Sequence, residues 1–232
     1  MKLRSSFFRS EILDIFDAVP FFASLTILFL YLLAFLHALT PLVPIFFLIV
    51  CILHVRDKLT EPQFLFAVLI MLAAAILASG RVVTWWDDLN FWANDARFLW
   101  YMRGFAGKYG NVSPEFGDYP PVTALWKWIF LSFSPHEYRE GLQFSAYHVL
   151  NMIYLLPLIK YTRRFPSLIL RLLAVPTVFL IPGIICSLQF TGSAADITMG
   201  TIYSSLLLAM VENPAPSGKG LSGEEFFRLS RI

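Results

Sequence analysis

Four aspartates crowd one polar interval of an otherwise apolar chain: Asp87 and Asp88 side by side, then Asp95, then Asp118. Around them stand Trp85, Trp86, Trp92, Trp100, Tyr101, Tyr109 and Tyr119, with Arg97, Arg103 and Lys108 interleaved. An adjacent acid pair just past an apolar run can act as a general base or hold a divalent cation. Guanidinium forks suit an anionic head group or a diphosphate, because their paired donors match phosphate oxygens. At helical spacing Asp88, Trp92 and Asp95 share one face and Arg97 falls off it. The interval therefore predicts an amphipathic helix lying along a membrane surface, with an aromatic belt and an acidic edge. Gly117-Asp118-Tyr119-Pro120-Pro121 predicts extended backbone, since proline disfavours helix at the residue before it. That backbone presents Asp118 and Tyr119 at the mouth of the next helix.

Each of these residues also has an ordinary reading. Tryptophan and tyrosine at a membrane edge are commonly interface anchors. Lone arginines pair with acids or snorkel, and a lone aspartate in an external loop is usually solvated. The combination is what points to a site: paired acids at the exit of an apolar run, then Asp118-Tyr119-Pro120-Pro121, then a further acid, Asp196, before another apolar run.

Of 232 residues 57% are hydrophobic and 15% charged, with mean hydropathy +0.66. Soluble domains carry about 25% charged residues, so the composition predicts an integral membrane protein. A net charge of +2 argues against a nucleic-acid partner. His37, His54, His136 and His148 are scattered without metal-ligand spacing, and we assign no metal ligand. Cys51 and Cys186 lie in apolar runs and read as small buried hydrophobes. Asn111-Val112-Ser113 fits the N-glycosylation pattern, which is common by chance.

The predicted class is all-α: a polytopic transmembrane helical protein of about six spans, with an external loop carrying amphipathic or re-entrant helices. Apolar runs at 19–39, 42–55, 64–79, 142–159, 167–188 and 197–211 approach the ~20 residues a bilayer requires. The run 122–133 has about a dozen residues and contains Lys127, so it predicts a re-entrant or interfacial helix. The resulting organisation is a three-span region (1–81), the aromatic-acidic loop (82–141), a second three-span region (142–211) and a polar cytoplasmic tail (212–232). Lys2, Arg4 and Arg9 place the N-terminus in the cytoplasm by the positive-inside rule. If 122–133 does not cross, Lys160, Arg163 and Arg164 also lie inside, and Asp196 lies outside with Asp87, Asp88 and Asp118.

Trp86 to Arg97, reading W-D-D-L-N-F-W-x-x-x-A-R, resembles the first external loop of polytopic glycosyltransferases of the GT-C class. Those enzymes carry an acid pair just after a span, and often a Y-P-P segment opening the next helix, matched by Tyr119-Pro120-Pro121. Phe190 to Ile197 (FTGSAADI) resembles their later external aspartate, and Lys160 to Arg164 the basic turn before it. The similarity covers roughly residues 83–210. It implies transfer of a sugar from a polyprenyl-phosphate donor to an acceptor on the periplasmic or lumenal face. In that reading Asp87 is the base, Asp88 assists, Trp92, Asp118, Tyr119 and Asp196 complete the polar site, and Arg97, Arg103 and Lys108 meet the lipid phosphate. Members of the class differ in whether a divalent cation takes part, and no residue here decides it. The class usually enters its loop after one span, where this chain uses three, and continues for further spans. A second reading is therefore a non-catalytic membrane subunit packed in a larger complex with another membrane chain.

Overall fold

The computed structural model describes residues 13–105 and 121–212, and every regular element among them is helical. Lys108, Asp118 and Tyr119, with the Asn111 triplet and the tail beyond Glu212, lie outside the described residues. Three segments are long and apolar enough to cross a membrane: α1 (Ile15–Phe35), α6 (Glu140–Ile159) with the turn that extends it to Arg164, and α7 (Leu168–Ile185). Only 11% of the apolar window of α7 is buried, so this helix needs an apolar surrounding that the described residues do not supply. At 14 and 17 residues, α2 (Leu42–Val55) and α3 (Pro62–Ala78) fall short of the length for an upright crossing. The last long helix, α9 (Ala195–Glu212), has 18 residues and a more polar makeup.

Local chemistry sets the ends. Helix α1 starts four residues before the apolar run, because Asp14 accepts from the Phe16 N–H and caps it. It stops at His37, whose φ of 50° ends the helical path. Pro62 opens α3 at the position where its missing N–H costs nothing. Ser167 caps α7 through the Leu170 N–H, and that helix ends at Cys186, short of the predicted 188. Cys186 is consequently only half-buried, whereas Cys51 is buried as expected.

Six helices run alternately between two ends of the molecule. At one end, here the cationic end, the start of α1 meets the turn after α6: Lys160 donates to Asp17 at 3.0 Å and Arg163 to Asp14 at 2.7 Å. Glu61, before α3, binds Arg163 at 2.5 Å, and Glu212, closing α9, binds Lys160 and Tyr161. At the other, aromatic end, the polar insert leaves α3 and returns to α6. Gly141 sits so tightly on the end of α3 that a Cβ would lie 1.9 Å from the Ser79 carbonyl oxygen. The Val83 N–H donates to the Glu140 carboxylate at 2.9 Å beside it.

Helix α6 is the centre, packing on α1, α3, α7, α9 and the short helix α5 (Val122–Leu131). Helix α4 (Ala93–Met102) packs on α5, and its exit crosses the end of α1. There the Phe105 N–H donates to the Ala34 carbonyl at 3.1 Å, and a Cβ on Gly104 would come within 2.7 Å of that same oxygen. The middle and end of α5 meet residues of the aromatic end: Lys127 bonds Trp92 and Ser193, and Ser132 lies beside Pro41. Almost every residue of α5 is buried, as an apolar helix wrapped by neighbours must be.

Candidate functional site at the aromatic end

The insert enters α4 through a π-helical turn over Asp88–Trp92, in which the Ala93 N–H reaches the Asp88 carbonyl. Such one-turn expansions are frequent at functional sites. The turn swings the two neighbouring acids into different surroundings. Asp88 is fully buried, and both of its carboxylate oxygens accept from the Ser193 N–H, at 3.2 and 3.0 Å. The Ser193 hydroxyl also donates to it. Asp87 stays half-buried, its Oδ2 held by the Trp85 indole N–H at 3.1 Å.

A buried cation completes the anchor. Lys127, on α5, is fully enclosed, and its ammonium donates to the Trp92 carbonyl at 2.9 Å, the Ser193 hydroxyl at 2.8 Å and the Ser193 carbonyl at 3.4 Å. The Ser193 hydroxyl thus accepts from Lys127 and donates to Asp88, joining three segments far apart in sequence. Asp95 lies one turn on, 5% exposed, with its Oδ1 unpartnered. Burial pushes the Asp95 carboxyl up to about 7, against the pull of Lys127. Burial likewise pushes Lys127 down to about 8, opposed by Asp88 and Asp95. An unpaired charge at such a depth costs several kcal/mol, roughly, so the members hold one another in place.

Asp88, Trp92 and Asp95 do share one face, but that face turns inward. The acidic edge meets Lys127 and does not run along the surface, because a fully enclosed ammonium demands anionic partners. Trp92 is buried with Phe91 against Ala195, the first residue of α9. Asp196 follows it, exposed in the first turn of α9, where the helix dipole favours a negative charge. The structure therefore brings Asp88 to Ser193, and Trp92 to Ala195 at the start of α9, joining segments about a hundred residues apart.

The arginines do not join them. Arg97 is exposed over the rings of Tyr101 and Tyr138, at 5.9 and 5.5 Å. Arg103 ends α4, which at 1.5 Å per residue puts it roughly 20 Å from the acid pair. Besides Lys127, the segment before Asp196 is tied by Arg81, which donates to the Phe190 and Thr191 carbonyls (3.0 Å to the latter) and lies over Phe144.

Lys127, Ser193 and Arg81 were not among the candidate site residues read from the sequence. Lys127 carried a signal, since a charge inside a ten-residue apolar run requires a counter-charge at the same depth. Ser193 carried none. Among the described residues no group of three or more His, Cys, Asp or Glu side chains is disposed to hold a metal. Chemically the arrangement offers one oriented, half-open carboxylate, Asp87, next in sequence to a locked one, Asp88. Comparison of the chain with protein-family models, with curated proteins and with solved structures gave no match.

Proposed function

We propose that this chain is a membrane glycosyltransferase of the GT-C kind, or one half of such an enzyme. It moves a sugar from a polyprenyl-phosphate donor to an acceptor at the aromatic end. The single observation that carries this reading is the division of the acid pair. Asp88 is spent on anchoring through Ser193, which leaves Asp87 oriented by Trp85 and half-open. A base needs that combination of fixed geometry and access.

In this mechanism Asp87 takes the proton of the acceptor hydroxyl as its oxygen bonds to the anomeric carbon. The bond from that carbon to the phosphate oxygen breaks, and the lipid phosphate leaves with the electron pair. Trp92 and Asp196 line the acceptor side. The six helices alternating between two ends support six spans, with α5 re-entrant or interfacial. Arg56, Lys58, Lys160, Arg163 and Arg164 at the cationic end support a cytoplasmic N-terminus and a periplasmic or lumenal insert.

The test is Asp87→Asn in the native membrane, checked for assembly and assayed for label transfer from polyprenyl-phosphate sugars. Loss of transfer with normal assembly is expected. Transfer equal to that of the parent, or none by the parent, overturns the reading. The bare apolar flank of α7 favours a second reading, a non-catalytic subunit whose α7 packs on another membrane chain. That reading predicts co-purification of the other chain, unaffected by Asp87→Asn.

A further inference from the structure

An apolar cleft of about 280 Å³ opens between α1, α2 and α5, walled by Phe22, Thr26, Leu48, Cys51, Trp126 and Ile129. At Pro41 and Ser132 it adjoins a second hollow of about 440 Å³, lined by Trp100, Tyr101, Arg103 and Trp128. The first is almost wholly hydrocarbon, and the second is aromatic and polar. The two stand in the order of a lipid tail and its head group.

Arg103 gives the head its sign. No carboxylate among the described residues pairs with Arg103. It holds a left-handed backbone, φ 53° and ψ 25°, at the helix end where glycine is the favoured residue. Gly104 stands next in line, so the strain falls on the arginine while the glycine's freedom goes to packing against Ala34. Hydrogen bonds fix the arrangement on both sides: the Arg103 N–H donates to the Leu99 carbonyl at 2.9 Å, and the Leu39 N–H donates to the Arg103 carbonyl at 3.2 Å. Strain held in place this way is a feature of ligand clamps.

The cleft wall offers almost no polar group, which suits a hydrocarbon chain. The tryptophans and tyrosine at the mouth are the residues that sit at head-group level in a bilayer. We infer that the groove between the α1–α2 hairpin and α5 holds a membrane phospholipid with a net anionic head, its phosphate on Arg103 and one acyl chain in the cleft. The site lies roughly 20 Å from Asp87, too far for Arg103 to meet a donor phosphate at that acid, so the inference separates Arg103 from the transfer reading.

The test uses the full chain in neutral detergent, with thermal melting and native mass spectrometry in the presence of dioleoylphosphatidylglycerol or dioleoylphosphatidylcholine. Near saturation the anionic lipid is expected to raise Tm by about 5 °C or more, with the zwitterionic lipid giving far less. Arg103→Gln abolishes the difference between the lipids, and Arg103→Lys keeps part of it. Leu48→Trp, at an exposed rim position, blocks the cleft and lowers retention of the anionic lipid. Equal responses to the two lipids overturn the inference, as does an unchanged response in Arg103→Gln. So does a lipid-independent loss of stability in Arg103→Gln, which assigns Arg103 to a carboxylate of its own chain.

Discussion

The two ends of the molecule solve the same electrostatic problem in opposite ways. At the cationic end several acids and bases share one wet network: Arg163 with Asp14 and Glu61, Lys160 with Asp17 and Glu212. The Arg163 side chain is 36% exposed and its partners are each partly exposed, so water offsets part of the cost when a pair is lost. At the aromatic end a single ammonium of zero exposure answers two buried acids, and no solvent stands in reserve. The number of ion pairs is therefore a poor guide to their importance; dependence follows desolvation.

Substitutions test that contrast directly. The largest effect is expected for Lys127→Met, which strands Asp88 and Asp95 in a dry interior. A loss of about 3–5 kcal/mol by detergent-based unfolding is expected, with part of it recovered in the triple variant that also carries Asp88→Asn and Asp95→Asn. A loss no larger than that of Arg163→Gln would erase the distinction between the ends.

Arg163→Gln breaks two pairs at once, yet solvent screening limits its expected cost to roughly 1 kcal/mol. Salt separates the two further: raising ionic strength to about 1 M shrinks the Debye length to about 3 Å and should remove most of the Arg163 contribution while sparing Lys127.

Acidity gives a subtler separation. Folding raises the Asp95 carboxyl from 3.8 to about 7, so the folded state holds that proton more tightly than the unfolded chain. The stability this lends is complete below pH ~4 and is lost as pH rises through about 7. Melting curves between pH 4 and 8 should show that decline in the parent and a flatter profile in Asp95→Asn. The smallest effect on stability belongs to Asp87→Asn, about 0.5 kcal/mol or less, since one indole hydrogen bond is its only described partner.

Much of this architecture was legible in the sequence. Long apolar runs gave the helices, and the shortness of 122–133 together with Lys127 correctly separated α5 from the long ones. Boundaries shifted where a single side chain intervened, as when Asp14 started α1 early and Cys186 closed α7. Within the site, the helical period placed Asp88, Trp92 and Asp95 on one face, but periodicity does not say whether a face looks in or out. That direction came from Lys127, on another helix, and from Ser193, over a hundred residues from Asp88. The separate fates of Asp87 and Asp88 came from a π-helical turn, which no spacing of residue types announces.

The close approach of Gly141 to Ser79 bears on what holds the ends of the insert together. Because α3 and α6 already touch where the insert departs and returns, closing the loop is done by the helices and not by the insert itself. Doubling the length of a flexible loop whose ends are held costs only about 0.6 kcal/mol more. The helix pair is a fixed gate, so the packing of the insert, with α5 buried against α1, α4 and α6, is relieved of the work of holding its own ends together.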